Sequence, residues 1–194
     1  MYNLNLNNLV LILINFKLLP QNSLISVFKK TYKNHIYIYI YNNIKKITFI
    51  LKNSLNFFFL SLIEITGLDI SMINNYNYLF NLDNINKYFE KIIIYNFIDY
   101  KTNFRYIFNL FVNKFTKIYS IEKFFLNANW LERELIEFFN IQVFLKNDTR
   151  NLLLDYNLMI NPLLKNFPTE GYQELYFNFN TYTLDYINSD FVEL

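Results

Sequence analysis

Between Leu4 and Phe16 the apolar residues Leu4, Leu6, Leu9, Val10, Leu13, Ile14 and Phe16 recur at helical spacing. They stop before Pro20, which predicts a short amphipathic helix over residues 4–19. The period then drops to two. His35-Ile36-Tyr37-Ile38-Tyr39-Ile40-Tyr41 alternates isoleucine with aromatic rings, a strand with a different chemistry on each face. Asn42-Asn43 supplies a cap, and Ile47, Ile50, Leu51 and Leu55 line one side of a helix over residues 44–56. Phe58 to Ile65 returns to strand, turned by Gly67. Tyr88 to Ile98 and Phe104 to Val112 are β-rich runs joined by Asp99-Tyr100-Lys101-Thr102-Asn103, which reads as a hairpin. Ser120 and Asn127 stand as N-caps of two consecutive helices, roughly 121–126 and 128–139. Beyond Asn147 helical periodicity ends, and Pro162, Pro168 and Gly171 break residues 155–172 into an extended segment.

The sum is an α+β architecture: a two-layer domain of mixed sheet with helices, plus an extended C-terminal tail. Its expected parts are an N-terminal helix or extension over residues 1–30, the α+β domain over 31–140, and a tail over 141–194. The tail lacks the periodicity to build its own core and is expected to lie against a partner. A chain of 194 residues fits one such domain.

Composition sharpens the picture at one place. Gly, Ala, Arg and Pro, the residues with GC-rich codons, occur only nine times, whereas Phe occurs 22 times and Tyr 17 times. Such a text fits a very AT-rich genome, in which GC-rich codons persist where no other residue serves. Six of the nine (Ala128, Arg133, Arg150, Pro162, Pro168 and Gly171) fall between Ala128 and Gly171, under a quarter of the chain, together with the only tryptophan, Trp130. Functional residues are expected there.

Charge and residue inventory exclude several classes. The net charge of +2 gives no strong field toward nucleic acid. Cysteine is absent, so thiolate-ligated zinc and iron–sulfur sites are excluded, and the single histidine, His35, cannot make a multi-His metal site. Neither apolar run, Leu9–Ile14 or Phe57–Ile63, reaches the roughly 18–20 residues of a membrane helix. The N-terminus has neither a signal-peptide pattern nor an Arg-rich presequence, as expected of a chain encoded inside an organelle.

The segment Asn127-Ala128-Asn129-Trp130-Leu131-Glu132-Arg133-Glu134-Leu135 reads as a capped amphipathic helix. Trp130, Glu134 and Phe138 fall on one stripe, and Leu131, Leu135 and Phe139 on its neighbour. Spacing alone gives a helix with core aromatics and makes Arg133, between Glu132 and Glu134, a local surface ion pair. Catalysis finds little support: Glu132 and Glu134 point to different sides of a helix, and Asp155/Lys165 has no accompanying nucleophile. No catalytic, cofactor-binding or metal-binding residue is expected.

The order of residues says more. Ala128-Asn129-Trp130-Leu131-Glu132-Arg133-Glu134 is followed by Phe139, Ile141, Asp148, Arg150, Leu153, Asp155, Tyr156, Pro162, Lys165, Phe167, Pro168, Gly171, Tyr172, Glu174 and Leu175. This series resembles the thirty-kilodalton subunit of respiratory complex I, whose signature has the form ANWxERE-x-x-D-x-FG followed by DLRRIL-x-DYG and GHP-x-RKDFP-x-x-GY-x-E. The register holds from Asn127 to about Phe177 without a gap. Departures are Asn140 for Gly, Lys146-Asn147 for His-Pro, Arg150-Asn151 for Arg-Arg, and Asn161 to Asn166 for His-Pro-x-Arg-Lys-Asp.

The resemblance implies a non-catalytic core subunit of the peripheral arm of mitochondrial NADH:ubiquinone oxidoreductase, on the matrix side of the inner membrane. Its partners would be other complex I subunits, chiefly the forty-nine-kilodalton quinone-site subunit, with no nucleic acid and no membrane span of its own. The parent complex uses FMN and iron–sulfur clusters, none bound by this chain. The residues it singles out are Trp130, Glu132, Arg133, Glu134, Arg150, Asp155, Tyr156, Pro162, Lys165, Phe167, Pro168, Gly171 and Tyr172. On this resemblance Trp130 and the Phe138/Phe139 pair are expected to anchor the helix to the sheet, and Arg133 to be partly buried against carboxylates. The alternative is an RNA-binding organelle ribosomal protein, using Lys29, Lys30, Lys33, Lys45 and Lys46 beside tyrosines.

Overall fold

The computed structural model describes residues 35–40, 44–53, 60–71, 89–101, 103–113, 116, 118–156 and 160–189. The helix expected over 4–19 lies outside them. The alternating run forms β1 (His35–Ile40), followed by helix α1 (Ile44–Asn53). Strands β2 (Leu60–Asp69), β3 (Lys91–Asp99) and β4 (Phe104–Val112) follow. They make one sheet in the order β1-β4-β3-β2, with β1 parallel to β4 and the other pairs antiparallel. The mixed sheet and its helices are the expected α+β fold. Asn103, at φ 57, closes the expected β3–β4 turn by donating its N–H to the Asp99 carbonyl at 2.8 Å.

One sheet face forms the core. Ile93, Tyr95 and Phe97 of β3 pair with Leu110, Phe108 and Tyr106 of β4, and all six are buried. Phe97 meets Phe108 and Phe125 edge-on, with ring centroids 5.5 and 5.2 Å apart. Strand β2 keeps to this face through a bulge between Leu62 and Glu64. The extra residue re-phases the alternation, so that Leu60 and Leu62 before it, and Ile65, Gly67 and Asp69 after it, all face the same way.

Helix α2 (Ala128–Phe139) lies over β2. Its core-facing stripe is Ala128, Glu132, Leu135 and Phe139, not the Trp130 stripe. Gly67 was expected to turn the chain; it sits inside β2 instead, beneath the Phe139 ring. A Cβ built at Gly67 would stand 2.6 Å from Phe139 Cδ2. Gly67→Ala is therefore expected to lower stability by about 1–3 kcal/mol through overpacking, measured as a fall in the urea midpoint. An unchanged midpoint would mean that the ring shifts freely.

The helix expected over 121–126 is instead a run of turns. Phe124 and Phe125 both donate to the Ile121 carbonyl, and Ala128 and Asn129 then return to i−3 partners. Six residues are too few to sustain a helix without support. Two short strands, β5 (Ile118–Tyr119) and β6 (Val143–Phe144), pair in parallel on either side of α2 in sequence. The expected tail holds a further element. Strands β7 (Gln173–Asn178) and β8 (Thr183–Asn188) form an antiparallel hairpin. No helix among the described residues is long and apolar enough to cross a membrane.

Candidate functional site

The signature helix α2 carries two buried carboxylates, Glu132 and Glu137, exposed by only 2% and 4%. A buried carboxylate needs partners, and each of these holds a different stretch of backbone. Glu132 Oε1 accepts the Ile121 N–H at 2.8 Å. Its Oε2 accepts Ser120 Oγ at 2.7 Å and Lys146 Nζ at 3.3 Å. Lys146, whose side chain is wholly buried, also meets Glu122 at 3.4 Å and donates to the Asn129 carbonyl at 2.8 Å. Burial pushes the Glu132 carboxyl above its ordinary range, against the opposing pull of these donors.

Glu137 holds the segment that follows. Its carboxylate accepts the consecutive amides of Leu152 at 2.8 Å, Leu153 at 3.1 Å and Leu154. One turn earlier, Arg133 grips the same segment by its carbonyls. Arg133 Nε donates to the Arg150 carbonyl and Nη2 to the Asn151 carbonyl, both at 2.7 Å, and Nη1 lies 3.6 Å from Asp148. Guanidinium and carboxylate, four positions apart on one helix, thus take successive carbonyls and amides of a strap that runs beside α2.

The end of α2 is tied to the same strap. Asn140 ends the helix in the left-handed region at φ 49, as its place in the signature implied, and donates to the Ile136 carbonyl. Asn161 Nδ2 donates to the Glu137 carbonyl at 2.6 Å, the Leu163 amide to Phe138 at 3.3 Å, and Lys91 Nζ to Phe139 at 2.6 Å. All four terminal carbonyls are satisfied, and the Lys91 cation sits at the negative end of the helix. Asp69 of β2 accepts the Ser71 and Lys165 amides, both at 2.9 Å.

Burial raises the Asp69 pKa, but those amides and the nearby Lys91 charge outweigh it and hold the carboxyl below its ordinary range. A depressed carboxyl contributes stability that is present above the unfolded value, about 3.9, and lost as pH falls through the native one. Asp69→Asn is expected to cost about 2 kcal/mol at neutral pH and to flatten the acid limb of the stability profile. An acid limb identical to wild type would remove Asp69 from this role.

The remaining signature residues divide between the strap and the surface. Trp130 is 65% exposed, so it does not anchor the helix to the sheet; Phe139 does. The reason is phase: Glu132, drawn inward by Ser120, Ile121 and Lys146, takes the core stripe and turns Trp130 outward. Asn127 has helical backbone angles and makes no side-chain cap; its Nδ2 donates to the Leu62 carbonyl beside the β2 bulge at 2.5 Å. Ser120 does act as a local acceptor, taking the Glu122 amide at 3.2 Å.

Glu134 is half-buried, Asp155 and Tyr156 are exposed, and the Asp155 carbonyl accepts Asn151 Nδ2. Arg150 is exposed and makes a bidentate pair with Asp148 at 3.0 and 2.8 Å, which holds the Asp148 carboxyl well below its ordinary range. Pro162 is half-buried where the strap passes the helix end, and Lys165 reaches β2 through its amide alone. Phe167 and Tyr172 stack edge-on at 5.3 Å around a turn closed from Gly171 N–H to the Pro168 carbonyl at 3.1 Å. Gly171 has φ 83, which explains the glycine there.

These clamps sit where a family signature was read. A sequence model of the family described as respiratory-chain NADH dehydrogenase, 30 Kd subunit, matches residues 40–173. The chain belongs to this family. In the 30 Kd signature form, Glu137 occupies the place of the Asp three positions after Glu-Arg-Glu, and that was the signal by which this clamp could have been found. The chain is similar to NADH-ubiquinone oxidoreductase subunit 9 of Paramecium primaurelia, at 50% identity over 78 residues, covering 40% of this chain and 37% of that one.

It is also similar to the mitochondrial NADH dehydrogenase [ubiquinone] iron-sulfur protein 3 of Candida albicans, at 36% identity over 83 residues, covering 43% and 30%. The matched segment thus spans well under half the length of these relatives. A chain from the membrane-bound sulfane sulfur reductase, an archaeal respiratory membrane complex, shares the fold. Its TM-score is 0.55 at 15% identity, covering 72% of this chain and 75% of that one. Despite the name carried by the yeast relative, the donor set here does not fit an iron–sulfur cluster, because the chain has no cysteine.

Proposed function

We propose that this member of the 30 Kd family is a non-catalytic structural subunit in the peripheral arm of mitochondrial NADH:ubiquinone oxidoreductase. On this reading it lies on the matrix side of the inner membrane and packs against the forty-nine-kilodalton quinone-site subunit. It thereby supports electron transfer from NADH to ubiquinone in a complex whose FMN and iron–sulfur clusters are held by other chains. Residues 31–140 form the supporting domain, and the 141–194 region carries contacts to the neighbour.

One observation carries the reading. The signature's charged side chains, Glu132, Arg133 and Glu137, hold the chain's own backbone, while the large apolar residues of the same stretch, Leu126, Trp130, Leu153 and Tyr156, are turned to the surface. Charges committed to internal geometry beneath exposed apolar groups describe a scaffold for an interface rather than a reaction centre. For the RNA-binding alternative, Lys29, Lys30 and Lys33 lie outside the described residues, and no observation favours it.

The test is native-gel separation of mildly solubilised organelle membranes, stained for NADH dehydrogenase activity and followed by mass spectrometry of each band. Peptides of this chain in the active high-mass band are expected; their appearance with ribosomal particles would overturn the reading. Trp130→Ala sharpens it. Being exposed, Trp130 should cost the isolated fold no more than about 0.5 kcal/mol, while incorporation into the active band falls several-fold. Undiminished incorporation would remove Trp130 from the interface.

A further inference from the structure

Resting on the reading above, the β7–β8 hairpin narrows which part of the tail meets a neighbour and what chemistry the neighbour brings. The strap is already engaged: α2 holds its backbone at residues 150–154 and at Leu163, and β2 holds it at Lys165. The hairpin is not. In its register Leu175 faces Tyr186 and Phe177 faces Leu184, so these four side chains share one face of the ribbon, and all four are exposed. Phe179 and Tyr182, at the turn end, are exposed as well and stack edge-on to Phe177 at 5.1 and 6.4 Å.

The opposite face carries Glu174, Tyr176, Asn178, Thr183, Asp185 and Ile187. There the Asp185 carboxylate accepts Asn178 Nδ2 at 2.9 Å and Thr183 Oγ1 at 3.2 Å. A two-stranded hairpin is marginal in water by itself, and one that gathers Leu175, Phe177, Leu184 and Tyr186 on one face gains its stability by laying that face on another surface.

Charge selects the surface. From Asn166 to Leu194 the chain has Glu170, Glu174, Asp185, Asp190 and Glu193 and no Lys, Arg or His. Anionic lipid headgroups and nucleic-acid phosphates repel such a segment, since both bind basic ones. A protein groove with basic walls attracts it. We infer that the hairpin over residues 173–188 is the docking element. Its occupant is a groove on an adjacent subunit, with an apolar floor for Leu175, Phe177, Leu184 and Tyr186 and a lip that includes lysine beside Glu174 and Asp185. The floor supplies affinity, and the lip fixes partner and orientation.

The test uses the intact NADH-dehydrogenase-active complex. A carbodiimide joins a carboxylate to an amine without a spacer, so it reports ion-pair distance. Cross-links from Glu174 or Asp185 to lysines of one other subunit are expected. Links only to this chain's own lysines, Lys29, Lys30 or Lys33 among them, or to a second copy, would overturn the inference, as would no link from either residue while other surface carboxylates react. A second measurement is independent of lysine reactivity. Leu175→Ser/Tyr186→Ser should lower incorporation into the complex by more than about tenfold, as expected when central anchors are lost, and leave the free chain's unfolding midpoint in place. Undiminished incorporation would overturn the inference. Absence of this chain from the complex altogether would instead defeat the functional reading, so the two failures are distinguishable.

Discussion

Glu137→Ala is expected to lower stability by about 3–5 kcal/mol and to free residues 152–154 of the strap from α2. The carboxylate accepts three consecutive amides, those of Leu152, Leu153 and Leu154, from a position with almost no solvent access. Hydrogen bonds to an ionised group contribute about 1.5–3 kcal/mol each, and amides left partly buried without an acceptor add their own desolvation cost. The total is held below the simple sum because the three share one acceptor and one loop, which relaxes toward water once released.

Arg133 then keeps the Arg150 and Asn151 carbonyls, and Leu163 and Lys165 keep their bonds further along. Urea unfolding would read the loss, and amide hydrogen exchange would locate it, with residues 152–154 exchanging at rates set by local opening. Glu137→Gln keeps an acceptor oxygen and should lose less than half as much. A loss under about 1 kcal/mol in the alanine variant, with protection at 152–154 retained, would mean that other contacts carry the strap.

The second large effect belongs to Lys146. Its ammonium lies between Glu132 and Glu122, with the Asn129 carbonyl as a further acceptor. Lys146→Met removes the counter-charge and leaves the Glu132 carboxylate buried, with only Ser120 Oγ and the Ile121 amide. Breaking one side of a buried pair costs about 3–5 kcal/mol, because the remaining charge has lost its compensation. The pH dependence has a definite sign.

The Glu132 carboxyl is already raised by burial, and the loss of Lys146 raises it further. The native state then binds this proton more readily than the unfolded chain does. Its contribution is therefore lost as pH rises through the native pKa and is fully present below the unfolded value, about 4.3. The variant should be weakest at neutral pH and approach wild type toward pH about 5, above the range in which Asp69 loses its own contribution. Glu132→Gln/Lys146→Met, which removes the charge but keeps an acceptor for the Ile121 amide, should regain more than half the loss. A pH-independent deficit would show that Lys146 acts by packing alone.

These two side chains also mark where the sequence could be read and where it could not. Strands β3 and β4 were legible because a central strand is apolar on both faces and the Asp99–Asn103 turn interrupts it clearly. Helix α2 was legible from its spacing, and Asn140 from its place at the helix end. The rotation of α2 about its axis was not. Size and hydrophobicity favour burying Trp130, but three donors converging on Glu132 outweigh that preference, and none of them is near it in sequence. Lys146 was read as a missing His-Pro pair, because its value lies in Glu122 and Glu132, which only the fold brings together.

Gly67 was misread for a similar reason: its lack of a side chain answers to Phe139, 72 residues away, and not to a local bend. Of the candidate site, the identities of Glu132 and Arg133 were legible but their targets were not. The Ile121 amide and the Arg150 and Asn151 carbonyls among those targets are backbone atoms, which leave no trace in a sequence.

That last property has a consequence for how the strap can change. Leu152, Leu153 and Leu154 contribute N–H groups to Glu137, and every residue except proline can do the same. The stretch is open to side-chain drift and closed to one residue type. A genome whose codons slide toward A and T can therefore rewrite this loop repeatedly while its path stays the same, provided the helix keeps one acid and one guanidinium in step.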